Sequence, residues 1–198
     1  MITHNGREAH HSVDPLFLER WSPRAFTGEA IPVEEFLTIL EAARWAPSAF
    51  NAQPWRFIYA LRDTPQWEPI LGLLNEFNRS WAADAAALII IVSKSTLRPP
   101  GADADVPSHT HSFDTGAAWA HIALQATRSG WHAHGMAGFD RDRAFAELHV
   151  PAGYRVEAAA AIGRRGDKSI LPEALQAREM PSPRQPLADI AFEGNFPT

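Results

Sequence analysis

A run of six consecutive apolar residues, Ala87 to Val92, constrains the fold more than any other feature of this sequence. A run this short is typical of a β-strand, and its lack of alternation indicates a strand covered on both faces. Further strands are predicted at 56–61, 131–137 and 155–162, the last of them rich in alanine. The chain is therefore expected to bury a sheet between other elements.

Helical patterns lie between these strands. Apolar residues recur at helical spacing over 36–43 and again over 117–124. The segment 97–111 holds three prolines and a glycine without a period, which predicts a loop. Residues 1–13 are polar and rich in histidine, and we expect them to be disordered. Residues 14–198 are expected to form a single domain.

Composition excludes several classes of protein. The 198 residues include no cysteine, which removes disulfides, zinc–thiolate sites, iron–sulfur clusters and cysteine nucleophiles. The formal net charge of −5 argues against general nucleic-acid binding, which needs a basic face. No stretch approaches the roughly 20 apolar residues of a membrane helix, and the N-terminus does not read as a signal peptide. The sequence thus predicts a cytoplasmic protein without a membrane or nucleic-acid partner.

The first cluster that could carry chemistry is Arg20-x-Ser22-x-Arg24. Alternate residues of an extended segment point to one side, so two guanidiniums and a hydroxyl can face one ligand. Arginine suits bidentate contact with phosphate. The alternative is a solvated basic turn, which is the usual environment of arginine.

The second cluster runs from Pro47 to Trp55, between a helix end and a strand start. Its small residues allow close approach, and Ser48, Asn51 and Gln53 offer donors and acceptors. These groups suit a flat heterocycle edged with carbonyls and ring nitrogens. The alternative is a capped turn whose polar side chains satisfy one another.

Together the two clusters resemble the opening of the nitroreductase family of FMN-dependent oxidoreductases. The matching segments are Arg20-Trp-Ser-Pro-Arg24-Ala-Phe, Glu41-Ala-Ala-Arg-Trp-Ala-Pro-Ser48 and Asn51-Ala-Gln-Pro-Trp55. Later segments are also similar to family segments, at 78–92, 114–130, 136–140 and 183–187. The likeness covers nearly the whole chain beyond residue 14.

The resemblance implies an α+β fold with a central, mainly antiparallel sheet flanked by helices. It also implies a homodimer with one FMN in each of two interface sites. A C-terminal extension of family members often reaches across to the other protomer. In this chain, that role would fall to the apolar segment 187–192.

The resemblance also implies the cofactor-binding residues. Those for the FMN phosphate and ribityl chain are Arg20, Trp21, Ser22, Arg24 and Arg184. Those that line the flavin ring, from the partner subunit, are Pro47, Ser48, Asn51 and Gln53. Asn78 would bond the pyrimidine edge, and the backbone of Ala137 and Gly138 would lie beside flavin N5.

Two positions depart from the family pattern. Ala137 stands where an acidic residue is common, which matters little if the contact is the main-chain N–H. Ser182 stands where a basic residue often precedes Arg184. Phosphate binding would then depend more on Arg164 or Arg165, unless these two form an exposed polar turn.

Aromatic and histidine side chains supply candidates for substrate contact. Phe50 and Trp81 could line the flavin face or pack at a dimer interface. His109 and His111 lie in the loop that could cover the flavin. His-x-His pairs at 109–111 and 132–134 have a metal-ligand spacing, but with no recognisable third ligand we expect no metal site. Trp45 is expected in the core.

The resemblance therefore predicts an enzyme that passes electrons from NAD(P)H through FMN to a nitroaromatic, a quinone or a related small acceptor. The donor and the acceptor would use the same pocket in turn, which is a ping-pong mechanism, and no catalytic side chain is named. One alternative is a family relative that performs reductive dehalogenation or flavin-consuming oxidation. Another is a non-catalytic flavin-binding dimer.

Overall fold

The computed structural model describes residues 2–197, with side chains from residue 5 onward. The strands are β1 (Ile2–His4), β2 (Arg7–Ala9), β3 (Trp55–Leu61), β4 (Ala87–Lys94), β5 (Thr96–Leu97), β6 (Val106–Pro107), β7 (His132–Met136) and β8 (Tyr154–Gly163). The helices are α1 (Leu16–Glu19), α2 (Val33–Arg44), α3 (Trp67–Leu71), α4 (Glu76–Ala82), α5 (His111–Arg128), α6 (Arg141–Glu147) and α7 (Glu173–Gln176). Short 3₁₀ turns lie at Ala49–Asn51, Lys168–Ile170 and Leu187–Asp189.

The main sheet has four strands in the order β3–β4–β8–β7, and every neighbouring pair is antiparallel. Two two-stranded ribbons, β1–β2 and β5–β6, lie outside it. The predicted α+β class with a central antiparallel sheet is confirmed. None of the described helices is both long and apolar enough to cross a membrane.

The packing of strand β4 on both faces explains why its sequence is apolar without alternation. Leu88, Ile90 and Val92 enter a core on one face of the sheet, against residues of α3, α4 and α6. Ala87, Ile89 and Ile91 enter a second core on the other face, against α2 and α5. Since each side chain of this strand has a packed layer to enter, both faces must be apolar.

The expectation of disorder over 1–13 is wrong for residues 2–9, which form the β1–β2 hairpin. Its turn consists of Asn5 and Gly6, with φ of 53° and 71°. Two positive φ values are what a two-residue hairpin turn requires, and Asn-Gly is the sequence that adopts them most readily. This dipeptide was the signal that could have predicted the hairpin. That residues 14–198 form one domain stays a prediction.

Trp45 is a second correction, because its side chain is 71% exposed rather than in the core. It follows the last turn of α2, where its indole N–H donates to Glu41 and the guanidinium of Arg44 lies over its ring. Trp45 comes after the buried residues of that helix and falls outside its apolar face.

Candidate functional site

Five arginines line one cavity of about 300 Å³ beside the N-terminal hairpin. Arg20 and Arg24 come from the extended segment that follows α1. The full lining is Arg7, Arg20, Trp21, Ser22, Arg24, Arg178, Met180, Ser182 and Arg184. The structure thus brings the segment 20–24 together with Arg184, which lies 160 positions later in the chain. We call this space the arginine cavity.

The arginine cavity has an excess of positive charge. Burial lowers the pKa of Arg20, and the charge of Arg184 lowers it further. Burial is also the main cause that lowers the pKa of Arg24, although Glu179 partly offsets it. Among the described residues, nothing accepts a hydrogen bond from the buried Trp21 Nε1 or Arg24 Nε. Such a set of unpaired cationic and neutral donors suits a phosphate-like dianion.

Glu179 fixes the backbone of the segment that carries Arg24. Its Oε1 accepts hydrogen bonds from the main-chain N–H of Arg24 at 2.6 Å and of Ala25 at 3.0 Å. Its other oxygen lies 3.7 Å from Nη1 of Arg24. One buried carboxylate therefore sets both the path of the chain and the direction of the guanidinium.

A second cavity of about 390 Å³ shares Arg20 and Ser22 with the arginine cavity. Its other lining residues are Phe17, Trp119, Ala120, Ala123, Leu124 and Gly135. Trp119 lies so close to Gly135 that an added Cβ would be 3.0 Å from its Cζ2 atom. A mostly apolar space next to an anion site suits the body of a ligand whose charged end occupies the arginine cavity.

Asn78 and the turn at Ala137 and Gly138 also lie together. The side-chain amide of Asn78 donates to the Gly138 carbonyl at 2.9 Å, and its main-chain N–H is capped by Asn75 at 2.8 Å. A Cβ added at Gly138 would lie 2.5 Å from the amide nitrogen of Asn75 and 2.7 Å from that of Asn78, so a side chain here would displace these amides. Asn78 is therefore held against the turn, with one of its two amide hydrogens already engaged.

The loop at 47–53 lies apart from both cavities, since neither lining includes any of its residues. Phe50, Asn51 and Gln53 have φ values of 51°, 52° and 49°, which is unusual for residues other than glycine. Ser48 Oγ accepts from the main chain of Gln53, and Asp114 accepts from that of Ala49. Ser48 thus ties the loop internally, as in the capped-turn alternative, and Asp114 of α5 ties it to the rest of the chain, while Phe50, Asn51 and Gln53 remain exposed.

Of the four candidates for substrate contact, Trp81 is misassigned. Its side chain is 1% exposed and packs between the rings of Phe26 and His134, at centroid distances of 6.2 and 4.6 Å. Trp81 is a core residue, because the helix α4 turns it toward the sheet. Phe50 is 69% exposed and His109 is also exposed, so both remain available for contact.

His111 is turned into the protein. Its Nδ1 lies 2.7 Å from the hydroxyl of Ser93, which donates to Glu157 at 2.6 Å, and Ser112 donates to the same carboxylate oxygen. The sheet register skips Glu157 between β4 and β8, and this bulge places the carboxylate beside Ser93. His111 thus anchors the start of α5 through Nδ1, and the contact of its ring with a substrate stays a prediction.

The described residues contain no group of three or more histidine, aspartate or glutamate side chains placed to hold a metal ion. His132 and His134 instead lie in β7 as half-buried histidines. Nδ1 of His134 lies 3.0 Å from the carbonyl of Pro23. Burial, with smaller contributions from Arg165 and Arg164, lowers the pKa of His132 to about 4.

This shift predicts a loss of stability in weak acid. The unfolded chain binds a proton at His132 below about pH 6.5, but the folded chain does so only near pH 4. The free energy of unfolding should therefore fall as the pH drops through this window, by on the order of 1–2 kcal/mol from this group after allowing for its partial exposure.

Urea denaturation at pH 7 and pH 4.5 measures this effect. His132→Asn should lose less stability between the two pH values than the wild type, whereas replacement of the exposed His10 should make no difference. Equal losses in His132→Asn and wild type would assign the acid sensitivity to other groups.

The geometry above has counterparts among known proteins. The model of the nitroreductase family matches residues 18–70, which include the segment 20–24 and the loop 47–53. A solved oxidoreductase that contains FMN is 52% identical to this chain, with a TM-score of 0.96 over all of this chain and 99% of that one. The chain belongs to the nitroreductase family.

Two curated relatives extend the comparison. A 15.4 kDa protein of Mycolicibacterium smegmatis is 36% identical over 128 residues, which is 64% of this chain and 82% of that protein. The nitrobenzene nitroreductase of Ectopseudomonas oleovorans is 41% identical over 44 residues, which is only 22% of this chain and 19% of that protein. The likeness to this nitroreductase thus covers a short segment.

Arg164 and Arg165 do not line the arginine cavity of this nitroreductase-family chain. Arg164 donates to the carbonyl of Gly130 at 2.9 Å, and its guanidinium lies 4.1 Å from the centroid of the Trp131 ring. It also lies within 4 Å of the carboxylates of Glu29 and Glu35. The structure therefore gives Arg164 a structural role between α2 and β7.

Sequence reasoning missed several side chains of the two cavities, and three of them carry a charge or an indole ring. Arg7 and Arg178 lie in the arginine cavity, and Trp119 lies in the neighbouring one. Arg7 and Arg178 lie outside every segment that carried the family resemblance, and Trp119 lies in the matching segment 114–130 but was not singled out there. Arg178 had no local signal, whereas Asn5-Gly6 marks the hairpin that carries Arg7.

Proposed function

We propose that this protein is an FMN-dependent oxidoreductase. The observation that carries the proposal is the arginine cavity, whose five guanidiniums outnumber the carboxylates that face them among the described residues and therefore favour a terminal phosphate. The solved relative at 52% identity that contains FMN supports the same cofactor. When bound, FMN supplies the transfer of hydride and electrons, and the protein binds, orients and tunes it.

The phosphate would be held by Arg20, Ser22, Arg24 and Arg184. Trp21 adds beside them an indole N–H that has no acceptor among the described residues. Asn78 would present its remaining amide hydrogen or its carbonyl oxygen to the pyrimidine edge, and the turn at 137–138 would offer main-chain N–H groups. Since the amide of Asn78 is already bonded to Gly138, this edge of the site is pre-organised.

We propose a homodimer in which the loop 47–53 completes the flavin site of the other subunit. The loop lines neither cavity of its own chain, yet it exposes Phe50, and the N-terminal end of α5 exposes Phe113. The C-terminal segment exposes Leu187, Ile190 and Phe196 as well. Exposed apolar side chains on separate segments suit a large subunit interface, with 187–192 packing on the partner.

The electron donor would be NADH or NADPH, and the acceptor a nitroaromatic, a quinone or a related small molecule. The name of the Ectopseudomonas relative favours nitroaromatic acceptors. Donor and acceptor would occupy the same pocket in turn, so that initial-rate plots against both substrates should give parallel lines. No side chain of this chain is assigned a proton-transfer role.

The test begins with the flavin. The purified protein should be yellow, and the flavin released on denaturation should be FMN rather than FAD. NADH or NADPH oxidation is then measured with nitrofurazone and with menadione. A colourless protein that cannot be reconstituted with FMN would overturn the proposal, and bound FMN without turnover by either donor would leave a flavin-binding dimer in its place.

Sedimentation tests the assembly. The protein should sediment at about 44 kDa, twice the 21.9 kDa of one chain, because one chain alone holds only part of the flavin site. A monomer that retains FMN at micromolar concentration would contradict the proposed interface.

A further inference from the structure

Arg7 connects three segments that no sequence motif joins. It lies in β2 of the N-terminal hairpin, and only 8% of its surface is exposed. Its Nη1 donates to the carbonyls of Leu18 at 3.0 Å and Arg20 at 2.6 Å, and its Nε donates to that of Ser182 at 3.0 Å. One guanidinium therefore joins the hairpin, the start of the segment 20–24 and the segment that leads to Arg184.

We propose that Arg7 is a positioning residue of the arginine cavity, which holds Arg20 and Arg184 in place for the phosphate of the cofactor. The inference rests on the proposed function, since it assumes that the cavity takes a phosphate. It assigns a binding role to the hairpin at 2–9, which lies outside the part of the chain that matches the family model.

The bond pattern supports a positioning role. All three acceptors of Arg7 are main-chain carbonyls, which fix the path of the chain rather than neutralise a charge. The carbonyl of Ser182 also accepts from Nη1 of Arg184, at 3.2 Å. Arg7 and Arg184 thus share one acceptor, so that a movement of Arg7 changes the position of a cavity arginine directly.

Repulsion among the guanidiniums of the arginine cavity favours the binding of an anion there. Burial lowers the pKa of Arg7, and the charges of Arg184 and Arg20 lower it further. Because the carbonyl partners carry no formal charge, they do not cancel the repulsion among these guanidiniums. A phosphate dianion would relieve it, so the hydrogen bonds of Arg7 hold cationic groups near one another that would otherwise separate.

The experiment compares FMN with riboflavin, which lacks the phosphate. Dissociation constants for both are measured by flavin fluorescence on full-length apoprotein of the wild type, Arg7→Met, Arg7→Lys and Arg128→Met. Arg128 is an exposed arginine in the last turn of α5, so its variant removes the same charge outside the cavity. The informative quantity is the preference for FMN, which is the riboflavin constant divided by the FMN constant.

Arg7→Met should reduce the preference for FMN about tenfold, which corresponds to about 1.4 kcal/mol. Riboflavin affinity should change less than threefold, and Arg128→Met should match the wild type. Arg7→Lys keeps the charge but cannot bridge three carbonyls in a fixed fork, so it should also lose preference, by at least about threefold.

Several results would overturn the assignment. Equal weakening of FMN and riboflavin in Arg7→Met would mean that Arg7 only supports the fold. A wild-type preference in Arg7→Lys would mean that charge alone matters. If Arg7→Met does not fold, the preference of Arg7→Lys for FMN tests the assignment: a loss of at least about threefold supports it, and a wild-type value overturns it. A wild type that binds neither flavin would instead reject the proposed function, and the inference with it.

Discussion

Replacing Arg20 with methionine should weaken FMN binding by about 10- to 150-fold. Arg20 lines both cavities, so its guanidinium lies where the phosphate and the ribityl chain would meet. A hydrogen bond to a charged group contributes roughly 1.5–3 kcal/mol, which corresponds to this range. Methionine keeps most of the length and apolar stem of the side chain, so the change removes mainly the charge and the donors.

Titration of FMN into each apoprotein, followed by flavin fluorescence, measures the effect. Arg128→Met again serves as the matched control, since it removes an exposed arginine outside the cavity. The difference between Arg20→Met and the control should shrink as salt is raised, because ions screen a partly open site. If Arg20→Met binds FMN as tightly as the control, the segment 20–24 is the exposed basic turn that the sequence left as the alternative.

The main sheet was predictable from the sequence because each of its strands has a local signal. The apolar run at 87–92 requires two packed faces, and the alanines of β8 fit the crowded space beside it. The hairpin at 2–9 was missed because its polar composition suggested disorder. Arg7 ties this hairpin to the rest of the chain, and its acceptors lie 11 to 175 positions away and cannot be predicted from local sequence.

In the candidate site, too, the residues with a local motif could be predicted and those held by distant segments could not. Arg20, Ser22 and Arg24 share a local motif, and the family resemblance added Arg184 from a second motif. The carboxylate that positions Arg24 could not be predicted, because Glu179 lies in a segment that shows no motif. For Trp81 the sequence predicted a ligand contact, but the structure buries this side chain in the core. An aromatic residue near a family motif suggests such a contact until its packing is known.

Trp81→Ala should lower the free energy of unfolding by about 3–5 kcal/mol. The indole is fully buried between Phe26 and His134, so its removal leaves a cavity in the core on that face of the sheet. Trp81→Phe should cost much less. Phenylalanine refills most of the space and also removes Nε1, a buried donor without an acceptor among the described residues, whose burial is unfavourable in the wild type.

Urea denaturation followed by circular dichroism, at one protein concentration for all variants, measures these values. Trp45→Ala is the matched control: the same change at a 71% exposed tryptophan should alter stability by no more than about 0.5–1 kcal/mol. If Trp81→Ala keeps wild-type stability and instead raises the KM for the electron acceptor, Trp81 lines the substrate site after all. The core assignment requires the opposite pattern, a loss of stability in Trp81→Ala and an acceptor KM in Trp81→Phe that matches the wild type.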